Sequence, residues 1–157
     1  MTTNTKRVTG RRVLAFQSYD DLLAEAQRLA AGECRSLGNW SLGQTCDHLA
    51  KAMHLSIEGG NISVPWFVRL AGPLLKKRFL KRMDPGIKLS GQAASALLAE
   101  PSITTQAGLA ALAEAIARLQ REPTRQRHFV FGHMTRAEWD QLHFRHAELH
   151  LSFIEPA

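Results

Sequence analysis

Apolar residues recur along the chain at spacings of three and four, and strict alternation is nearly absent, so the pattern predicts helices. The first helix is expected to begin at Ser18, whose hydroxyl can cap free N–H groups of the first turn. Asp20 and Asp21 then sit at the positive end of the helix dipole. Leu22, Leu23, Ala26, Leu29 and Ala30 mark one face, and Gly32 marks its end. The second helix opens at a capping box, Ser41-Leu42-Gly43-Gln44, and places Leu42, Cys46, Leu49, Met53 and Ile57 on one stripe before Gly59-Gly60-Asn61 stops it. A third is expected from about Thr104 to Gln120 on Leu109, Leu112, Ile116 and Leu119, with Pro123 beyond its end. The fourth opens at the capping box Thr135-Arg136-Ala137-Glu138 and is expected to run nearly to Pro156.

Between the second and third helices lies a long connection, residues 60–102, punctuated by Pro65, Gly72-Pro73, Asp84-Pro85-Gly86, Gly91 and Pro101. The expected architecture is an all-α four-helix bundle with a crossover between its second and third helices. One domain over 1–157 is expected, with residues 1–14 as an N-terminal arm and no internal repeat. A chain of this length buries roughly 68–70% of its unfolded surface, so its core needs no structural metal, and a metal found here would be functional. Two cysteines, Cys34 and Cys46, form no disulfide or zinc pattern and read as small buried side chains in a reducing compartment. No run approaches the ~18 apolar residues of a membrane span, and Met1 to Arg12 lacks an apolar targeting stretch. A soluble cytoplasmic protein is expected.

The last predicted helix carries the most informative residues. With Trp139 as its first inward position, the stripe passes through Leu142 or His143, then His146, then Leu149 or His150, and on to Phe153. Histidines therefore occupy positions where apolar residues belong. His146 and His150, four apart, project about 40° from one another and one turn along the axis, which lets both reach one metal ion. His48, on the flank of the second helix's apolar stripe, can supply a third imidazole. Three neutral imidazoles with an open position make a catalytic type of site that suits zinc, nickel, copper or iron(II). The segment from His146 to His150 is not the zincin motif, because Glu148 is not adjacent to the first histidine and is expected to face solvent.

These residues resemble those of the DinB-like superfamily of four-helix-bundle proteins, in a branch known as a domain of unknown function. The resemblance runs from Arg12 to Ile154. It rests on Gly38-Asn39-Trp40-Ser41-Leu42-Gly43-Gln44 leading to Asp47-His48-Leu49-Ala50, on Gly72-Pro73-Leu74-Leu75-Lys76, and on Pro85-Gly86. Its last part is Phe131-Gly132-His133-Met134-Thr135, leading through Glu138-Trp139 to His146 and His150. It implies that His48, His146 and His150 bind one divalent metal, zinc or nickel before iron. It also implies a range of activities. Some DinB-like proteins conjugate bacillithiol or mycothiol to electrophiles, and others resemble maleylpyruvate isomerases. The expectation is a metal-dependent transferase or hydrolase-like enzyme on a small molecule, such as a low-molecular-weight thiol, whose thiolate the metal would stabilise.

The remaining histidines read as pocket or bystander residues. His143 lies on the inward stripe and could line the cavity, and the resemblance places His128 and His133 near the bundle mouth. His54 is expected on the surface, and Gln44 is expected to serve its cap rather than hold an imidazole. The formal charge of +6 is concentrated between Val64 and Lys88, which holds seven Lys or Arg and one acid. The plainest reading is a crossover that packs its apolar residues over the bundle and leaves its cations in water. It carries no nucleic-acid recognition motif, and nucleic acid is not an expected partner. The alternative to an enzyme is a non-catalytic bundle that acts by homodimerisation or through this basic surface on anionic partners.

Overall fold

The computed structural model describes residues 2–86 and 91–157 and is all-α apart from one two-stranded ribbon. The four expected helices are α1 (Tyr19–Ala30), α2 (Leu42–Glu58), α5 (Thr105–Arg121) and α6 (Arg136–Leu151). Two further helices occupy the connection after α2, namely α3 (Trp66–Lys81) and α4 (Gly91–Leu97). No helix among the described residues is long and apolar enough to cross a membrane. Capping boxes start three of the helices, through Ser18 with Asp21, Ser41 with Gln44, and Thr135 with Glu138. Each pair satisfies two backbone N–H groups that a helix start leaves free.

The helix expected to run nearly to Pro156 stops at Leu151. Residues Ile154–Pro156 instead form β2, antiparallel to β1 (Cys34–Ser36), with Ser36 opposite Ile154 and Cys34 opposite Pro156. The cause lies in the N-terminal arm. The Arg12 guanidinium takes the carbonyls of Leu151 and Ile154 at 3.1 and 2.7 Å, so acceptors freed at the helix end are satisfied without another turn. Ile154 is then buried and Glu155 pairs with Arg35.

The main core lies between α1, α2, α5 and α6. Leu22, Leu49, Met53, Leu112, Leu119 and Leu151 are all but fully buried there. The closest approach is between α2 and α5, where Gly43 and Gly108 face each other. A Cβ on Gly108 would overlap the carbonyl of Gly43, so this crossing admits no side chain on either helix. A second cluster of Phe131, Trp139 and Leu142 is covered by Leu75, Phe79, Leu80 and Met83 from α3 and the residues after it. Half of the basic connection thus packs over the helices as expected. Trp66, Phe67, Leu70 and Leu74 do not, and they stand exposed. Lys88, the last cation of that segment, lies outside the described residues. Cys46 is buried and Cys34 half-buried, both as free thiols.

Candidate metal centre

His48 comes from the first half of α2, and His146 and His150 come from the last turns of α6 where the two helices pack. One ring nitrogen from each lies within 4.8 Å of the other two. The Nε2 atoms of His48 and His146 are 3.1 Å apart, and the three ring centroids are separated by 4.6 to 4.9 Å. Metal–imidazole bonds of ~2.0–2.1 Å in a tetrahedral site place neighbouring nitrogens roughly 3.3–3.4 Å apart, so the observed convergence fits one ion.

The orientation of His48 comes from α4. Its Nδ1–H donates to the Leu97 carbonyl at 2.6 Å, which leaves Nε2 as a lone pair aimed at His146. Two neighbours on α2 hold that carbonyl in place. Asp47 accepts the backbone N–H of Glu100 at 2.8 Å, and Lys51 donates to the Leu98 carbonyl at 2.8 Å. Trp40 forms a further wall, stacked on His150 with an interplanar angle of 18° and tilted against His48. Burial pushes the pKa of all three imidazoles down. For His146 and His150 the neighbouring rings push it lower still, and for His48 the bond to Leu97 opposes burial. All three are therefore neutral at pH 7, the form that ligates.

The three rings open into a cavity of about 750 Å³. Val68, Leu75 and Phe79 of α3 line one side, and Trp139, Leu142, His143 and Leu149 of α6 line another. Among the described residues no Asp or Glu lines it, and Arg127 is its one permanently charged side chain.

Residues 8–157 match the family model described as Protein of unknown function (DUF1569). The chain belongs to that family. No curated protein and no solved structure matches it.

In this DUF1569 protein the other histidines separate by environment. His143 is 3% exposed and lines the cavity. Ser56 donates its hydroxyl hydrogen to the Met53 carbonyl, so His143 Nε2–H donates to the Ser56 oxygen at 3.2 Å. Burial, with Arg125 and His128 nearby, brings its pKa down to about 3. His128 also lines the cavity, where its Nδ1 accepts the N–H groups of Val130 and Phe131 and burial lowers its pKa to about 4. His133, just after the turn closed by the His128–Gly132 bridge, is exposed and outside the cavity lining.

His54 is half-buried rather than on the surface, 3.0 Å from Glu114 and beside Arg118. Gln44 serves its cap and also donates to the Pro101 carbonyl. Glu148, expected in solvent, is enclosed. It accepts the N–H of Phe16 at 2.7 Å and pairs with Arg145, because the segment that leads from the N-terminal arm into α1 crosses that face of α6.

Sequence reasoning missed Trp40, Leu97 and the Asp47 clasp. The capping box places Trp40 just before α2, which was a usable signal. The role of Leu97 is played by a backbone carbonyl, and side-chain identity carries no trace of it.

Proposed function

We propose that this DUF1569 protein is a DinB-like four-helix-bundle metalloprotein, with α1, α2, α5 and α6 as the bundle. In this reading His48, His146 and His150 hold one divalent ion, zinc or nickel before iron, and the protein is an enzyme of small molecules in the cytoplasm. The observation that carries it is the convergence of three neutral imidazoles at a cavity whose described lining holds no carboxylate. A divalent ion supplies Lewis acidity there, which lets an acidic group, water or a thiol, react as its conjugate base at neutral pH.

The chain's own residues do the rest. The Leu97 bond sets the tautomer of His48, and the Trp40 ring limits the tilt of His150. The apolar walls exclude water and take the apolar body of a substrate. His143 and His128 are neutral at pH 7 and hold positions by donating or accepting hydrogen bonds rather than by taking up a proton. With no carboxylate base in the described lining, the arrangement favours a substrate that brings its own acidic proton. Thiol transfer is therefore preferred, with hydrolysis second. The free Cys34 and Cys46 support a reducing compartment.

Metal content by mass spectrometry on untagged protein prepared without chelator tests this, alongside His48→Ala and His146→Ala. About one equivalent in the parent and none in the folded variants is expected. A parent that is empty and takes up neither zinc nor nickel on titration overturns the reading. With the metal established, thiol conjugation to simple electrophiles should disappear with chelator and return with one particular ion.

A further inference from the structure

Helix α3 has two faces of different character. Its inner face places Val68, Leu75 and Phe79 against the cavity, and Gly72 lies so close to the Val130 carbonyl that a Cβ would overlap it. On the outer face Trp66, Phe67, Leu70 and Leu74 are 76, 59, 75 and 79% exposed. At 3.6 residues per turn these four fall within an arc of about 100°, and Lys77, Arg78 and Lys81 extend the same stripe, all exposed. The helix contains no acidic residue. Its inward cation, Lys76, is matched by Glu138, and Arg78 shares Asp84 with Arg82.

We propose that this outer face docks on the surface of an anionic lipid bilayer. Trp66, Phe67, Leu70 and Leu74 enter the boundary between headgroups and acyl chains, while Lys77, Arg78 and Lys81 meet the anionic headgroups. A bilayer satisfies both halves of the stripe at once. Nucleic acid would meet the cations and leave four large apolar side chains in water. A second copy laid parallel would set cations against cations. A crossing centred on Leu70 would bury the apolar residues and leave the cations without counter-charge. The face is independent of the metal centre, so the proposal stands or falls without it.

The experiment is co-sedimentation of the full chain with vesicles of phosphatidylcholine, with and without phosphatidylglycerol. Binding is expected only with the anionic lipid, weakening as salt rises. Lys77→Glu with Lys81→Glu should weaken it by at least about tenfold, as should Leu70→Ser with Leu74→Ser. Arg121→Glu, a charge reversal at the end of α5, should leave it unchanged. Circular dichroism checks that each variant is folded. Trp66→Phe provides a second reading on the parent fold, because vesicles of brominated lipid should quench the parent's fluorescence and spare much of that variant's.

Absence of binding, equal binding to neutral vesicles, or full binding by the folded lysine variant overturns the proposal. Self-association abolished by Leu70→Ser, without vesicle binding, also overturns it and assigns the face to a second copy. Salt-sensitive DNA binding without vesicle binding overturns it in favour of nucleic acid.

Discussion

Asp47 accepts the backbone N–H of Glu100 at 2.8 Å, so the residue beside His48 pins the segment whose Leu97 carbonyl orients the His48 ring. Asp47 and His48 are neighbours on one helix but face different partners, Glu100 after α4 and Leu97 at its end. The charge of Asp47 is balanced by Lys51 at 2.8 Å, which itself donates to the Leu98 carbonyl.

Asp47→Ala should therefore have two separable effects. Loss of a buried, charge-assisted acceptor is expected to lower stability by about 1–3 kcal/mol, read from urea unfolding. Freeing the Leu97 carbonyl is expected to weaken metal affinity by about 10–100-fold, read from competition with a chromophoric chelator. A variant with reduced stability and unchanged affinity would show that His48 is oriented without the clasp.

Added zinc or nickel should raise the unfolding midpoint of the parent, because the folded state alone brings the three imidazoles together. The gain is about 2.7 kcal/mol when free ion is about one hundred times Kd. His150→Ala should abolish most of this gain while leaving the metal-free protein folded. An equal rise in the variant would place the ion elsewhere.

Acid should destabilise the metal-free protein well above the carboxylate range. In the fold His143 and His128 stay neutral down to about 3 and about 4, whereas an unfolded imidazole takes up its proton near its ordinary value of 6.5. The unfolded state thus binds more protons below pH 6.5. Stability is full above that value and falls as pH drops toward 4, by up to about 1.4 kcal/mol per pH unit for each such histidine. His143→Gln, which can still donate to Ser56, should make the slope shallower. Urea midpoints measured between pH 7 and 4 would show this, and a flat profile would contradict the burial of these rings.

An alanine in place of a helical glycine ordinarily stabilises by about 0.5–1 kcal/mol. Gly108→Ala should do the reverse, by about 1–3 kcal/mol, because the new methyl would meet the Gly43 carbonyl. Thermal unfolding of this variant beside Gly32→Ala, in the turn after α1 where a Cβ meets nothing, separates the clash from the general effect of removing a glycine.

Much of this molecule could be read from the order of its residues. The capping boxes at Ser41 and Thr135 located two helix starts, and apolar periodicity marked the faces that became buried. The three converging histidines stood out because each interrupted an apolar stripe or lay on its flank. What escaped the sequence rests on backbone atoms or distant pairs. The end of α6 at Leu151 depends on Arg12 reaching carbonyls across the fold, and Glu148 is enclosed by a segment far from it in the chain. Helix α3 was obscured because its apolar residues serve two faces, which blurs any single stripe. Pro73 inside it also reads as a break.

The contact between Gly43 and Gly108 gives α2 and α5 a mechanical stop. Packed leucines yield by rotating side chains, but backbone resting on backbone leaves little to adjust. His48 lies little more than one turn beyond that stop, so its height along the axis is referenced to a rigid datum rather than to the volume of surrounding residues. A change of size at Met53 or Ile57, farther along α2, should then alter stability more than it alters the position of the imidazole.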